Sequence, residues 1–275
     1  MKTVIVTPAG RECFLRLLVP QIEKYVKAGV VDEYRLWVNT TVQSDIEYMD
    51  RLAETYDWIK LDKLPSDVPC NGIMTIRHFF KSCVEDAVYV RLDDDIILID
   101  DVESFRNFVK FRINHPEYFI VYGNILNNAI VTCVLQHLGK LDTTHGVASY
   151  AYNDPVTYSS EVYPAYIHKQ VVEEVAAGRG MTRFHFEGVW KLLNHERVSI
   201  NCISWLGSEF KRLCDGDVVE YEEDALPTLM PKRFGMVNAI YGGFCVVHYA
   251  FNFQRQILDK IGCYDWFTHI VTGAS

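Results

Sequence analysis

The sequence predicts an α/β fold: a single domain with a mostly parallel central sheet and helices on both faces. One observation is that short apolar runs, typical of buried strands, alternate with segments whose apolar residues recur at helical spacing. Another is that 49% of the 275 residues are hydrophobic and 23% are charged, which permits a substantial core and argues against disorder. No repeat or flexible linker interrupts the pattern, so we expect residues 1–275 to form one domain.

The first half of the chain carries the clearest alternation. Apolar, β-branched and aromatic residues predict strands at 3–7, 34–39, 58–61, 88–92 and 118–123. Helical spacing predicts four helices. Two span 13–27 and 70–83, one begins after an N-cap at Ser44, and one runs from a cap at Asp100 or Asp101 to His115. In a parallel sheet of this kind, ligands bind beyond the carboxyl ends of the strands.

The second half is less regular. Five tyrosines lie in the stretch 150–166, which offers flat faces to a ligand or anchors loops in the core. Beyond them, the pattern predicts a helix at 164–177, strands at 199–205 and 243–249, and a closing helix at 253–267.

Composition excludes several classes of function. The net charge is −9 and no Lys/Arg cluster occurs, so nucleic acid is not an expected partner. No apolar run approaches the roughly 18 residues that a membrane span needs. The eight cysteines form no Cys-x-x-Cys pair, so a zinc site is not indicated. Because Met1 leads straight into a strand, no signal peptide is expected, and a reducing cytoplasm is the default location.

Three adjacent aspartates, Asp93, Asp94 and Asp95, follow the predicted buried strand at 88–92. Their like charges repel, and the apolar residues on both sides place them at the mouth of the core, so they need a counter-charge. A divalent cation, Mg²⁺ or Mn²⁺, suits carboxylate ligands. The alternative is an exposed acidic turn, which the apolar flanks make the weaker interpretation.

Other residues at the ends of the remaining strands are expected at the same edge of the sheet. They are Thr7, Ala9, Gly10, Arg11, Asn39 and Asp62. This convergence predicts a binding site at the strand ends. The loop after the first strand is also explained as a simple strand–helix turn, to which Gly10 is suited.

Two later motifs carry groups that can bind a metal or move a proton. Glu222, Glu223 and Asp224 come at a predicted helix start, where acids also occur for capping alone. His248 ends an apolar strand, where a histidine can equally be a core residue. Asp215 and Asp217 flank Gly216 in a polar stretch typical of an exposed turn.

In this order, the motifs resemble those of nucleotide-sugar-dependent glycosyltransferases of the GT-A fold, which is related to the Rossmann fold. The pattern is similar to small stand-alone microbial or viral members. The resemblance implies a nucleotide-sugar-binding half at 1–125 and an acceptor-binding, catalytic half at 126–275. The aspartates would be the Asp-x-Asp motif: Asp95 ligates the metal, Asp93 contacts ribose or metal, and Asp94 faces the donor sugar.

The resemblance also implies roles for the later residues. His248 would complete the metal site, and Asp224 would be the general base of an inverting reaction, with Glu223 as the alternative. The loop Thr7–Arg11 would hold the nucleoside, and Arg77 would contact the diphosphate or form a salt bridge instead. The implied partners are a nucleoside-diphosphate sugar, expected to be uridine-linked, and a hydroxyl of a glycan or other acceptor; the cofactor is Mn²⁺ or Mg²⁺.

Three alternatives stay open from the sequence. A sugar-nucleotide nucleotidyltransferase shares the layout, but its first loop is normally glycine-rich with a lysine, whereas residues 7–11 contain one glycine and one arginine. A non-catalytic nucleotide- or sugar-binding module of the same fold is another alternative. Retention in place of inversion remains possible if the match of Glu223 and Asp224 to the catalytic motif is accidental.

Overall fold

A computed structural model of the chain describes residues 1–215, 218, 221–251 and 253–273. Its strands are β1 (Lys2–Ala9), β2 (Glu33–Val38), β3 (Ile59–Lys63), β4 (Ala87–Leu92), β5 (Ile96–Ile99), β6 (Tyr118–Leu126), β7 (Val189–Leu192), β8 (Cys202–Leu206) and β9 (Val237–His248). They form one sheet in the order β3-β2-β1-β4-β8-β6-β9-β5, with β7 paired to β9. Strands β1 to β4, β6 and β9 run in one direction, so the predicted α/β fold with a mostly parallel sheet is confirmed.

The helices pack on this sheet and on one another. They are α1 (Glu12–Lys27), α2 (Gln43–Thr55), α3 (Val102–Asn114), α4 (Ala129–His137), α5 (Tyr163–Ala176), α6 (Gly207–Cys214), α7 (Glu222–Asp224), α8 (Met230–Phe234), α9 (Arg255–Lys260) and α10 (Cys263–Thr272). Helix α1 contacts β5, α3 contacts β8 and β9, and α10 contacts α1 and α5. Within the described residues, we find no helix with both the length and the apolar character needed to cross a membrane.

Several helix boundaries differ from the prediction. Helix α2 begins at Gln43, and Ser44 is not its cap, since Val42 occupies that position without a side-chain hydrogen bond. The predicted helix at 70–83 is instead two 3₁₀ helices, Gly72–Met74 and Ile76–Ser82. Residues three apart lie on one face of either helix type, so spacing alone does not separate them.

The predicted cap of α3 is confirmed, whereas the predicted closing helix is two helices. Asp101 caps α3 by accepting hydrogen bonds from the backbone N–H groups of Glu103 and Ser104, both at 2.8 Å. The predicted closing helix is split into α9 and α10 by Gly262, whose φ of 68° lies in the left-handed region that glycine tolerates. Residue 252, beside the start of that segment, lies outside the described residues.

The core explains why the strands are recognisable in the sequence. All six residues of β4 are buried, as expected for a strand covered on both faces. Rings pack around it: Tyr89 stacks on Trp205 at 5.2 Å between centroids, and Phe80 lies 5.3 Å from the same ring. Apolar burial of this kind stabilises the fold by roughly 25 cal/mol per Å². Arg91 is the charged exception on β4, and its partners belong to the site.

Strand pairing brings distant residues to one edge. Strands β1 and β4 are parallel neighbours, so the loop after β1 lies beside the aspartates that follow β4. Strand β5 then runs antiparallel to β9, with Ile96 opposite His248. The backbone N–H of Tyr249 donates to the carbonyl of Asp95 at 2.9 Å, which fixes this register.

Candidate functional site

A cavity of about 640 Å³ opens at this edge of the sheet. Eight of the residues predicted from the sequence line it: Gly10, Arg11, Asn39, Asp93, Asp94, Asp95, Glu223 and His248. Five predicted residues are not part of its lining: Thr7, Ala9, Asp62, Arg77 and Asp224. The structure thus brings the three aspartates, His248 and Glu223 into one space.

Asp94 is held by the loop after β1. The Arg11 side chain donates to both carboxylate oxygens, with its Nε at 3.0 Å from Oδ2. The backbone N–H of Gly10 donates to the same oxygen at 3.1 Å. Burial raises the pKa of Asp94, while the adjacent guanidinium acts in the opposite direction. The carboxylate is therefore directed towards the first loop.

Asp95 lies beside the late histidine. Its Oδ1 is 3.7 Å from His248 Nε2, and its Oδ2 is 3.1 Å from a terminal nitrogen of Arg11 and 3.4 Å from one of Arg255. The other ring nitrogen, Nδ1, lies 3.4 Å from the carbonyl of Asn127, which leaves Nε2 on the side of the carboxylate. A carboxylate and an imidazole this close can ligate one cation.

Asp93 has a different set of partners. Arg91 contacts its Oδ1 through Nε at 2.9 Å and a terminal nitrogen at 2.8 Å. Asn201, just before β8, donates to Oδ2 at 2.9 Å. Ligand atoms of Asp93, Asp95 and His248 do not form a group within 4.8 Å of one another; among the described residues one other triad does, and it lies elsewhere.

The two glutamates Glu222 and Glu223, called the acid pair from here on, lie at the start of α7. Burial raises the pKa of Glu222 to about 8 and that of Glu223 to about 7, although Arg91 lowers both. Glu222 accepts from Arg91 at 2.9 Å through Oε1, whereas its buried Oε2 has no hydrogen-bond partner. Both glutamates line the cavity, so two carboxyl groups there change protonation state close to neutral pH.

Asp224, the base expected from the sequence, has a different position. Its carboxylate pairs with Arg197 at 3.1 Å, and its side chain is 47% exposed. Asp215 ends α6 with φ of 53° and is not part of the cavity lining, whereas Gly216 and Asp217 lie outside the described residues. Of the two residues predicted for the base, only Glu223 faces the cavity.

The remaining predicted residues have structural partners. Asp62 lies on the edge strand β3, 3.3 Å from Arg35. Thr7 is buried and accepts from the Tyr34 hydroxyl at 3.0 Å. The Ala9 carbonyl accepts from the backbone of Asn39 at 3.0 Å. Arg77 lies in the second 3₁₀ helix and is half-buried.

The Asn39 side chain organises the other wall of the cavity. Its amide donates to the carbonyl of Gly72 at 3.0 Å and accepts from the Thr75 hydroxyl at 2.9 Å. The strand end of β2 is thereby joined to the first 3₁₀ helix. Both Asn39 and Gly72 line the cavity.

Sequence reasoning gave no role to three arginines that line the cavity: Arg91, Arg197 and Arg255. Arg91 gave a usable signal, since an arginine inside an apolar strand must find a buried partner. The others gave none, because their partners are remote in sequence. Arg197 lies over the Tyr152 ring at 4.6 Å, and Arg255 over Phe14 at 5.4 Å.

Among the comparisons with known proteins, only the one with solved structures finds similarity. No protein-family model matches the chain. No curated protein matches it either. Solved structures do show similarity, and one is a 4-diphosphocytidyl-2C-methyl-D-erythritol synthase, 12% identical, with a TM-score of 0.34 over 44% of this chain and 59% of that one.

Two further solved structures are similar at the same level. A mannose-6-phosphate isomerase from Helicobacter pylori is 13% identical, with a TM-score of 0.39, over 87% of this chain and 86% of the isomerase. HddC from Yersinia pseudotuberculosis is 13% identical, with a TM-score of 0.31, over 45% of this chain and 58% of HddC. The chain thus spans less than two thirds of the synthase and of HddC, and similarities this weak assign no activity.

Proposed function

We propose that the chain is a metal-dependent glycosyltransferase that moves a sugar from a nucleoside-diphosphate sugar to an acceptor hydroxyl with inversion. One observation carries the proposal. A single cavity is lined by Asp93 to Asp95 at the end of β4 and by the acid pair at the start of α7. The reaction needs both, since charge must be neutralised on the leaving diphosphate and a proton removed from the acceptor.

The donor side would be formed by the ends of β1 and β2. Gly10 and Asn39 provide a surface for the nucleoside, which a uridine-linked donor would occupy. Arg11 and Arg255 both reach Asp95, so two guanidinium groups are available next to the position of a diphosphate. Guanidinium groups bind phosphate oxygens through strong, paired hydrogen bonds.

The metal ligands would be Asp95 and His248, whose 3.7 Å separation fits a shared cation. Asp93 is the further ligand that the Asp-x-Asp pattern implies, directly or through water. Carboxylate ligands suit Mg²⁺ or Mn²⁺, and His248 would add one nitrogen donor. When bound, such an ion would act as a Lewis acid on the leaving diphosphate.

The acceptor side would use Glu223 as the general base. Its pKa of about 7 matches the task, because a base is most effective when its pKa lies near the operating pH. Asp224 is less suited, since its carboxylate pairs with Arg197 and is not part of the cavity lining. Tyr152 and Tyr158 line the same space and offer ring faces to a sugar.

The test combines binding with turnover. Thermal-shift measurements with nucleoside diphosphates and their sugars, with and without Mn²⁺, should show metal-dependent stabilisation by one nucleotide. Release of that nucleoside diphosphate from its sugar should then be lost in Glu223→Gln and kept in Asp224→Asn, while both variants still bind the donor. Normal turnover by Glu223→Gln would disprove the base assignment, and no stabilisation by any nucleotide would disprove the donor class.

A nucleotidyltransferase is the second candidate. Arg11, in the loop after β1, reaches into the cavity, where it could contact a triphosphate. One similar solved structure is a synthase of a diphosphocytidyl compound, although its TM-score of 0.34 decides nothing. The products distinguish the two activities. A nucleotidyltransferase joins a nucleoside triphosphate to a sugar phosphate and releases pyrophosphate, whereas the glycosyltransferase releases a nucleoside diphosphate. Binding of a nucleotide without either product would indicate a non-catalytic module.

A further inference from the structure

A second cluster of metal-binding side chains lies outside this cavity. Asp100 follows β5, His185 follows the 3₁₀ helix Thr182–Phe184, and Cys245 belongs to β9. Their ligand atoms all lie within 4.8 Å of one another. Because the three residues are far apart in sequence, no Cys-x-x-Cys pattern marks the cluster.

The cluster is built on buried, fixed groups. His185 Nε2 lies 2.5 Å from Asp100 Oδ2, and the backbone N–H of Cys245 donates to the same oxygen at 3.1 Å. The backbone N–H of Asp101 donates to Oδ1 at 3.1 Å. Asp100 and Cys245 are buried, and the imidazole is 21% exposed, so the cluster has a side open to solvent.

A fourth polar side chain faces the thiol. Asn124 on β6 is the register partner of Cys245 on β9, and its side chain interacts with that thiol. It is fully buried, and its Oδ1 has no hydrogen-bond partner, while Nδ2 donates to the carbonyl of Phe184 at 2.7 Å. A buried oxygen without a partner is costly and calls for an explanation.

We propose that Asp100, His185 and Cys245 bind one Zn²⁺-class cation, with the amide oxygen of Asn124 as the fourth ligand. A thiolate, an imidazole and oxygen donors are typical ligands of Zn²⁺, whereas Mg²⁺ prefers oxygen alone. The cation differs in class from the one proposed at Asp95 and His248. On binding, the Cys245 thiol releases its proton to solvent and the thiolate ligates the metal.

A simple Asp–His pair explains less of the arrangement. It accounts for the carboxylate and the imidazole but leaves the adjacent thiol and the unpartnered oxygen of Asn124 without a role. A bound cation uses all four groups. It would connect the end of β5, β6, β9 and the 181–186 segment, so we infer a structural role. A separate cavity of about 340 Å³ is lined by Asp100 together with Met181 and Thr182.

Co²⁺ tests the site in the full chain after removal of metals by a chelator. We expect one Co²⁺ per chain to produce the near-ultraviolet charge-transfer absorption of a thiolate ligand, and Zn²⁺ to displace it. Cys245→Ser should abolish this band, whereas the control Cys83→Ser, a change at another buried cysteine, should keep it. Bound Zn²⁺ should also raise Tm in wild type and not in Cys245→Ser.

A second pair of variants keeps the test independent of folding defects and of the proposed activity. His185→Gln retains the thiol and should need at least tenfold more Co²⁺ for the same band. Asp95→Asn should leave the band unchanged, because it removes only a ligand of the catalytic cation. Absence of the band in wild type, or an equal band in Cys245→Ser, would overturn the proposal and leave Asp100 and His185 as a hydrogen-bonded pair.

Discussion

A terminal nitrogen of Arg91 lies 2.9 Å from Glu222 Oε1 and joins two parts of the site that are 131 positions apart in sequence. The same guanidinium contacts Asp93 at 2.8 Å. Side chains of Arg91 and Glu222 are almost completely buried, at 3% and 1% exposed. One arginine on β4 therefore joins Asp93 of the aspartate motif to Glu222 at the start of α7.

Removal of this arginine should strongly destabilise the fold. Arg91→Met leaves Asp93 without its counter-ion and Glu222 without its buried hydrogen-bond donor. Breaking a buried pair typically costs about 3–5 kcal/mol. Urea unfolding measures the change. Arg35→Met is the control, since Arg35 pairs with Asp62 in a partly exposed position and should cost about 1 kcal/mol or less. The double variant Arg91→Met/Glu222→Met should recover part of the loss, and equal effects at Arg91 and Arg35 would contradict the prediction.

Stability should also depend on pH through Glu222. Burial raises the pKa of this group from its ordinary 4.5 to about 8. Between these values the folded chain keeps a proton that the unfolded chain has lost, so stability decreases as pH rises from about 4.5 to 8. Glu222→Gln should make that decline shallower. Urea midpoints across this range test it, with the exposed Glu161→Gln as a control that keeps the wild-type slope.

Activity should change with pH in the opposite direction. If Glu223 is the general base, its carboxyl must be ionised, and burial raises its pKa to about 7. The value of kcat/KM for nucleoside-diphosphate release should therefore increase with pH and level off above about 7. Asp224→Asn should keep this profile. Loss of the profile in Asp224→Asn, with activity retained in Glu223→Gln, would return the base to Asp224.

The sequence predicted the sheet because apolar burial leaves a direct record in residue order. Strand β4 could be predicted because all its residues are buried and most are apolar. The three aspartates after it differ clearly from these apolar neighbours. The cap at Asp101 was also predictable, because its hydrogen bonds reach only two and three residues ahead. Local chemistry of this kind needs no knowledge of the fold.

Parts of the site depended on information that the sequence does not contain locally. The contact of Arg91 with Glu222 follows from the position of α7 relative to β4. The choice between Glu223 and Asp224 depends on which neighbour the helix turns towards the cavity, and acids in both positions look alike in the sequence. The cluster of Asp100, His185 and Cys245 requires the register of β5 and β9.

Arg11 should compete with the proposed catalytic cation. Its guanidinium contacts both Asp94 and Asp95, so it occupies the carboxylate that would ligate the metal. In Arg11→Met, two buried carboxylates lose a counter-charge. We therefore expect a lower Tm in the presence of a chelator. We also expect the Kd for Mn²⁺ alone to fall roughly tenfold, which corresponds to about 1.4 kcal/mol of binding free energy.

Calorimetric titration with Mn²⁺ and thermal denaturation with a chelator measure the two effects separately. Arg16→Met is the matched control, because Arg16 lies in the first turns of α1, just beyond Arg11, and pairs with Glu12 at an exposed position. Binding of the nucleoside diphosphate should weaken in Arg11→Met while binding of the metal alone improves, since the guanidinium is proposed to contact phosphate oxygens. Unchanged or weaker Mn²⁺ binding would show that Arg11 supports the cation and does not compete with it.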